Sequence, residues 1–247
     1  MRQERPRIGI CELSREDICK KEFLGHMNKV SPQNKDKILQ KVIGHLQPQF
    51  VNMYCAVIWA ILQRPAQIYQ SLYAEIARHI AVHTPIPEKY AFREAWDQCW
   101  KSIVDLGGLM NVPDELVDPE QLSDECTFQE WIIWKKTRLN LARGCVHLCF
   151  YGVFTKSPNV IIGPIADAIE GAMNGGAPAP AHVLDYWIEV FSCIWETMRE
   201  NRQPLDPEIM QKMRGWEQHR TKLELMSSRF KIQALIETLD ASESNST

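Results

Sequence analysis

The sequence lacks any unbroken apolar run of the roughly 20 residues that a membrane span requires. Its longest such stretch, VNMYCAVIWAIL at 51–62, is too short and carries polar positions. No membrane association is therefore expected. The opening MRQERPRIGICELSRED has neither an apolar core nor a small-residue cleavage site, so the pattern of a secretory leader is missing. No Cys-x-x-Cys pair occurs among the eight cysteines, which are scattered through helical-looking segments. That distribution points to free thiols in a reducing compartment, cytoplasm or nucleus. Phosphate loops of the GxxxxGK[ST] type, a GxGxxG turn after a strand, and a GxSxG elbow are also missing, which removes the nucleotide-binding and hydrolase classes that depend on them. Nor is there an excess of positive charge. With a net charge of -3, contact with nucleic acid would need a local basic patch on an acidic background.

What the chain does have is enough apolar content, 45% of 247 residues, to bury a large core. Apolar spacing predicts ten helices and almost no strand, over 15–28, 32–46, 49–63, 66–83, 88–106, 128–155, 158–173, 181–201, 206–222 and 227–240. Ser31-Pro32 and Asp206-Pro207-Glu208 read as helix starts, a capping side chain followed by a proline that has no N–H to lose. Ser14 with Asp17 reads as a capping box. TPIP at 84–87, NGGAPAP at 174–180 and the acidic stretch 107–126 break the pattern with glycine and proline, and Gly144 or Gly152 is expected to bend the long segment 128–155. Ten helices joined mostly by short turns can form five antiparallel pairs of about the 40–47 residues typical of HEAT-like units. A stacked α-solenoid and an irregular helical bundle both satisfy that pattern.

The search for chemistry finds little. His79 and His83 stand four apart, the ligand spacing of a zinc-protease helix, but Ile80 occupies the place of the general-base glutamate; a solvated or hydrogen-bonded pair is the expectation. Cys145 and Cys149 read as small buried hydrophobes. Gly107-Gly108 and Gly175-Gly176 read as helix stops. Asp114, Glu115, Asp118, Glu120, Asp124 and Glu125 gather in one proline-punctuated loop rather than converging from separate elements, so a solvated loop is expected. Trp96 with Trp100 and Trp131 with Trp134 have the spacing of core stripes. No catalytic residue, metal site or cofactor is assigned. The one local concentration of positive charge is 134-WKKTRLNLAR-143, whose Lys135, Lys136, Arg138 and Arg143 form a candidate RNA-binding patch, against the alternative of a solvated face. In the last helix Ile232, Leu235, Ile236 and Leu239 fall at i, i+3, i+4, i+7 and should be buried.

Three blocks, in order, resemble one family. The segment 24-LGHMNKVSPQNKDKILQKV-42 is similar to the opening "LNKLTPQ…DKLL" hairpin of the middle domain of eukaryotic translation initiation factor 4G, 138-RLNLARGCVHLCFYGVF-154 to its arginine-led third-repeat helix, and 227-SSRFKI-232 to "SSRIRF" in its final repeat. A weaker likeness covers 65-PAQIYQSLYAEIARHI-80. The resemblance implies an all-α fold, an α-solenoid of about five HEAT-like antiparallel helix pairs over 15–240, with an N-terminal extension at 1–14 and a disordered tail at 241–247. It implies a cytoplasmic translation-initiation scaffold and not an enzyme. Its partner would be a DEAD-box RNA helicase of the initiation factor 4A type, with mRNA and other initiation factors as further partners. By matched position, helicase contacts would fall at Asn28, Lys29 and Val30, and at Arg229, Lys231 and Ile232. Ile232 thus stands both in the matched motif and in the buried stripe, while Phe230 is divided between neighbour packing and an interface anchor. The family's YxxxxL motif for the cap-binding subunit has no match after any tyrosine from Tyr54 to Tyr186. A related middle-domain adaptor in nonsense-mediated decay, splicing or mRNA export, and a stand-alone RNA-binding module, are the alternative readings.

Overall fold

The computed structural model describes residues 13–104, 108–118, 121–175 and 179–244. Among these residues all regular structure is helical: α1 Arg15–Met27, α2 Lys35–Gly44, α3 Val51–Leu62, α4 Gln70–His83, α5 Glu88–Val104, α6 Asp114–Val117, α7 Glu125–Phe150, α8 Asn159–Met173, α9 Ala181–Glu200, α10 Pro207–His219 and α11 Met226–Ser244. The expected N-terminal extension lies almost wholly outside the described residues, as do the last three positions of the expected tail; part of that tail, through Ser244, is instead the end of α11.

Several helix starts follow from the capping chemistry expected of them. The Ser14 hydroxyl accepts from the Asp17 N–H and donates to its carboxylate, and Asp206 accepts from the Glu208 N–H ahead of Pro207. Ser31-Pro32 does not start a helix. There Asn34 accepts from the Ser31 N–H and donates to the Lys29 carbonyl, both at 2.8 Å, closing a turn that delays α2 to Lys35. Likewise α4 begins at Gln70 rather than 66, because the Gln67 side chain takes up the N–H groups of Ile68 and Tyr69. The long segment is one helix, α7, of 26 residues, and it starts three residues early under an Asp124 cap. Gly144 does not bend it. A Cβ there would meet the Leu62 side chain at 3.0 Å, so the glycine lets α3 and α7 approach closely. Gly152, at φ +70, is the residue that turns the chain just after it ends.

The helices pack in two strings: α1, α3, α5, α8 and α10 touch in succession, and so do α2, α4, α7, α9 and α11. Rungs between the strings join α1 to α2, α3 to α4, α8 to α9 and α10 to α11. The core runs the length of the molecule between them, from Phe23 and Met27 through Ile58, Trp96, Val146 and Tyr186 to Trp216 and Ile232. Trp96, Trp100 and Trp131 are buried as their spacing requires, and Trp134 stacks on Trp131 at 5.4 Å. Cys145 is buried and Cys149 packs against the core, and burial pushes both thiols up, Cys149 to about 12. The acidic stretch is not simply solvated. Its acids Asp114 and Glu115 face water, but Leu109 and Leu116 are buried, and α9 holds the segment through Tyr186 to the Leu109 carbonyl, Trp187 to that of Met110 and His182 to that of Leu116. Gly107, Glu120 and Gly176 lie outside the described residues.

Candidate interaction surface

In the second string, α7 and α9 lie parallel and in register. Going along both, Trp131 meets His182, Lys135 meets Glu189, Cys193 donates to the Leu139 carbonyl, and His147 meets Asn201. α4 joins the same register on the other side of α7, where Gln70 donates to Asn140 and Arg78 to the Tyr151 carbonyl. Two clefts cross this face. One of about 290 Å³ lies between α7, α9 and α11, and one of about 330 Å³ between α4, α7 and α9. Both are lined by Arg143 and Glu196, so the two run on from one another as a trough. Its charges are mixed: Arg199 and Lys231 stand with Glu189 in the first cleft.

The matched motif at the C-terminal end turns out to hold the last helix in place. Ser227 and Ser228 donate to one oxygen of Asp185 at 2.9 and 2.7 Å, and Lys231 reaches the other at 2.7 Å and Glu189 at 3.4 Å. Lys135 of α7 also pairs with Glu189, at 3.0 Å. Burial alone would raise the Asp185 carboxyl, but Lys231 and the two serines outweigh it and hold it below its ordinary value. Arg229 turns back to donate to the Leu223 carbonyl at 2.7 Å. Ile232 is 0% exposed, so it belongs to the buried stripe with Leu235 and Leu239 and cannot be a surface contact. Phe230 is 63% exposed, with Met226 beside it one turn earlier and also exposed.

The N-terminal motif is a fixed turn with a different character. Val30 is 5% exposed and packs in the core, which removes it from the expected contacts. Asn28 accepts from Arg64 at 2.9 Å, and Arg64 and Pro65 in turn present their carbonyls to Asn140 of α7. Lys29 is exposed and has no ion pair among the described residues. It lines a cleft of about 390 Å³ with Glu22, His26 and His45, whose two imidazoles stack at 6.3 Å. Burial, followed by Lys41, His45 and Lys29, holds His26 below its ordinary pKa. Among the described residues Lys29 is an unpaired cation at this end, with Glu22 as the acid in the same cleft.

The expected RNA patch does not assemble as one open face. Lys135 is tied to Glu189, and the Arg138 guanidinium lies 5.5 Å over the Trp134 ring. Lys136 and Arg143 remain exposed. His79 and His83 stack at 6.1 Å, and the His83 ring bonds to the backbone carbonyl of His79 rather than to its imidazole.

No family model, curated protein or solved structure matches this chain. Sequence reasoning missed Asp185 and Glu189, the acids on which the C-terminal cations close. Their spacing of four in the first turns of an otherwise apolar helix, AHVLDYWIEVFS, was the available signal.

Proposed function

We propose that this chain is a cytoplasmic translation-initiation scaffold, a HEAT-like solenoid that binds a DEAD-box RNA helicase of the initiation factor 4A type and stimulates it. The observation that carries this reading is the pair of exposed ends joined by fixed polar contacts. From Asn28 the contacts pass through Arg64 to Asn140 of α7, and from Lys135 of the same helix through Glu189 to Lys231 of α11. A scaffold of this form holds two bodies at a set spacing because neither end can move without breaking that register. Two parallel strings of successively touching helices, with rungs between them, support the solenoid over an irregular bundle.

In this reading Lys29 and Asn28 meet one lobe of the helicase, and Phe230, with Met226, meets the other. Stimulation follows because the bound arrangement favours one of the helicase's two lobe geometries over the other. An RNA module acting alone is the weaker reading, since Lys135 is paired with Glu189 and the net charge is -3. The test is the RNA-dependent ATPase of the cognate helicase with and without the purified chain. Stimulation together with co-purification supports the proposal; absence of both removes it.

A further inference from the structure

A further groove, of about 410 Å³, lies at the C-terminal ends of α4 and α7. It forms where the α4–α5 turn meets the turn that follows α7. On α5, Lys89, Phe92, Arg93 and Trp96 fall at i, i+3, i+4, i+7 and face it together, while Gly152 and Val153 close the other side. The floor is rigid. Phe92 and Trp96 are buried, in edge-to-face contact at 6.0 Å, and Phe154 braces Trp96 from beneath at 5.9 Å. The buried indole Nε1 of Trp96 has no hydrogen-bond partner among the described residues.

Two features mark this groove as a place where something binds. Ile86 and Tyr90, which also line it, are 72% and 68% exposed, so two large apolar side chains stand in water beside an apolar floor. Lys89 and Arg93 are exposed, have no ion pair among the described residues, and share the lining with no carboxylate at all. The trough along α7 and α9 differs, since Glu189 and Glu196 share its lining with the cations and Glu189 pairs with Lys231. An apolar slot rimmed by unmatched cations is complementary to a ligand that is apolar at its centre and anionic at its flanks.

We infer that this groove docks a short acidic–hydrophobic segment of a partner protein, its apolar side chains seated among Ile86, Tyr90 and Trp96 and its flanking carboxylates paired with Lys89 and Arg93. The site is separate from the two ends assigned to the helicase, so a scaffold with both could hold a second protein while the helicase is bound. Exposed aromatic and arginine side chains around a desolvated floor are the residue types that dominate peptide affinity.

The probe is an array of fluorescein-labelled peptides with a central apolar triplet drawn from Leu, Ile, Phe and Trp, each made once with glutamate flanks and once with lysine flanks. Binding is read by fluorescence anisotropy on the full chain. Glutamate-flanked members should bind and their lysine-flanked counterparts should not. Lys89→Glu with Arg93→Glu should weaken binding by at least about tenfold, and Tyr90→Ala by about tenfold. All three positions are exposed, so the melting temperature should hold and a lost signal cannot be put down to unfolding. No binding by any member, equal binding of both flank types, or indifference to the double substitution would each overturn the proposal. So would a dimer in sedimentation equilibrium that Tyr90→Glu dissolves, because a second copy would then be the occupant.

Discussion

The two ends of this molecule both carry motifs with cations, yet they use those charges in different ways. At the N-terminal end Lys29 is exposed with no ion pair among the described residues, in a cleft it shares with Glu22, His26 and His45. At the C-terminal end Lys231 is enclosed by Asp185 and Glu189, Arg229 is bonded to a backbone carbonyl, and the exposed group is the ring of Phe230. A cation in a motif is thus not evidence of a docking contact until the acids around it are known. The first end is suited to electrostatic attraction and the second to an apolar anchor, and substitutions at the two should differ in kind.

The largest effect is expected in the stripe that fixes the last helix. Leu235→Ala removes a buried side chain and should cost about 2–5 kcal/mol in urea unfolding, taking the Phe230 surface with it. Next is pH. Burial, aided by Arg143 and opposed by the Asn201 bond, pushes His147 down to about 4. The folded chain therefore keeps this imidazole neutral while the unfolded chain protonates it below its ordinary 6.5. Stability should fall as pH drops from about 6.5 to about 4 and stop falling from this source below that, with an upper bound near ~3 kcal/mol. His147→Gln should flatten that part of the profile. Asp185 acts at lower pH. Its depressed pKa contributes stability that is present above 3.8 and lost as pH falls through the folded value.

Lys231→Glu separates the ends directly. It places a third carboxylate against Asp185 and Glu189 and should cost about 1–2 kcal/mol, discounted for partial exposure of the network. Reversing Arg229 and Lys231 together is therefore not a clean test of partner contact, since lost folding and lost binding would coincide. Phe230→Ala should leave stability within about 0.5 kcal/mol while weakening the partner by about 1–2 kcal/mol. Lys29→Glu should be as silent in unfolding, and its effect on association should shrink as salt is raised.

Most of the helical framework was legible in the sequence, because apolar periodicity and capping side chains are local signals. Asp206-Pro207 and Ser14 began helices as their chemistry requires. The two late helix starts were also local in origin: Asn34 and Gln67 offered the backbone side-chain partners that compete with a helix turn, so α2 and α4 start late. Gly144 read as a bend because its reason for being glycine, the Leu62 side chain, lies across the interface with α3. The candidate sites were less legible for the same reason on a larger scale. Lys231 and Asp185 are 46 positions apart, so no window along the chain shows that the charge is already matched. Val30 and Ile232 share their segments with exposed residues, and only packing separates one from the other.

The central claim, that the two ends grip one helicase by different physics, is tested most directly by RNA-dependent ATPase stimulation across a salt series with wild type, Lys29→Glu and Phe230→Ala. The account predicts that each substitution reduces stimulation with the melting temperature unchanged. It also predicts that raising the salt narrows the gap between wild type and Lys29→Glu, while the Phe230→Ala deficit stays constant. Stimulation that survives both substitutions, or that wild type never shows, would contradict it.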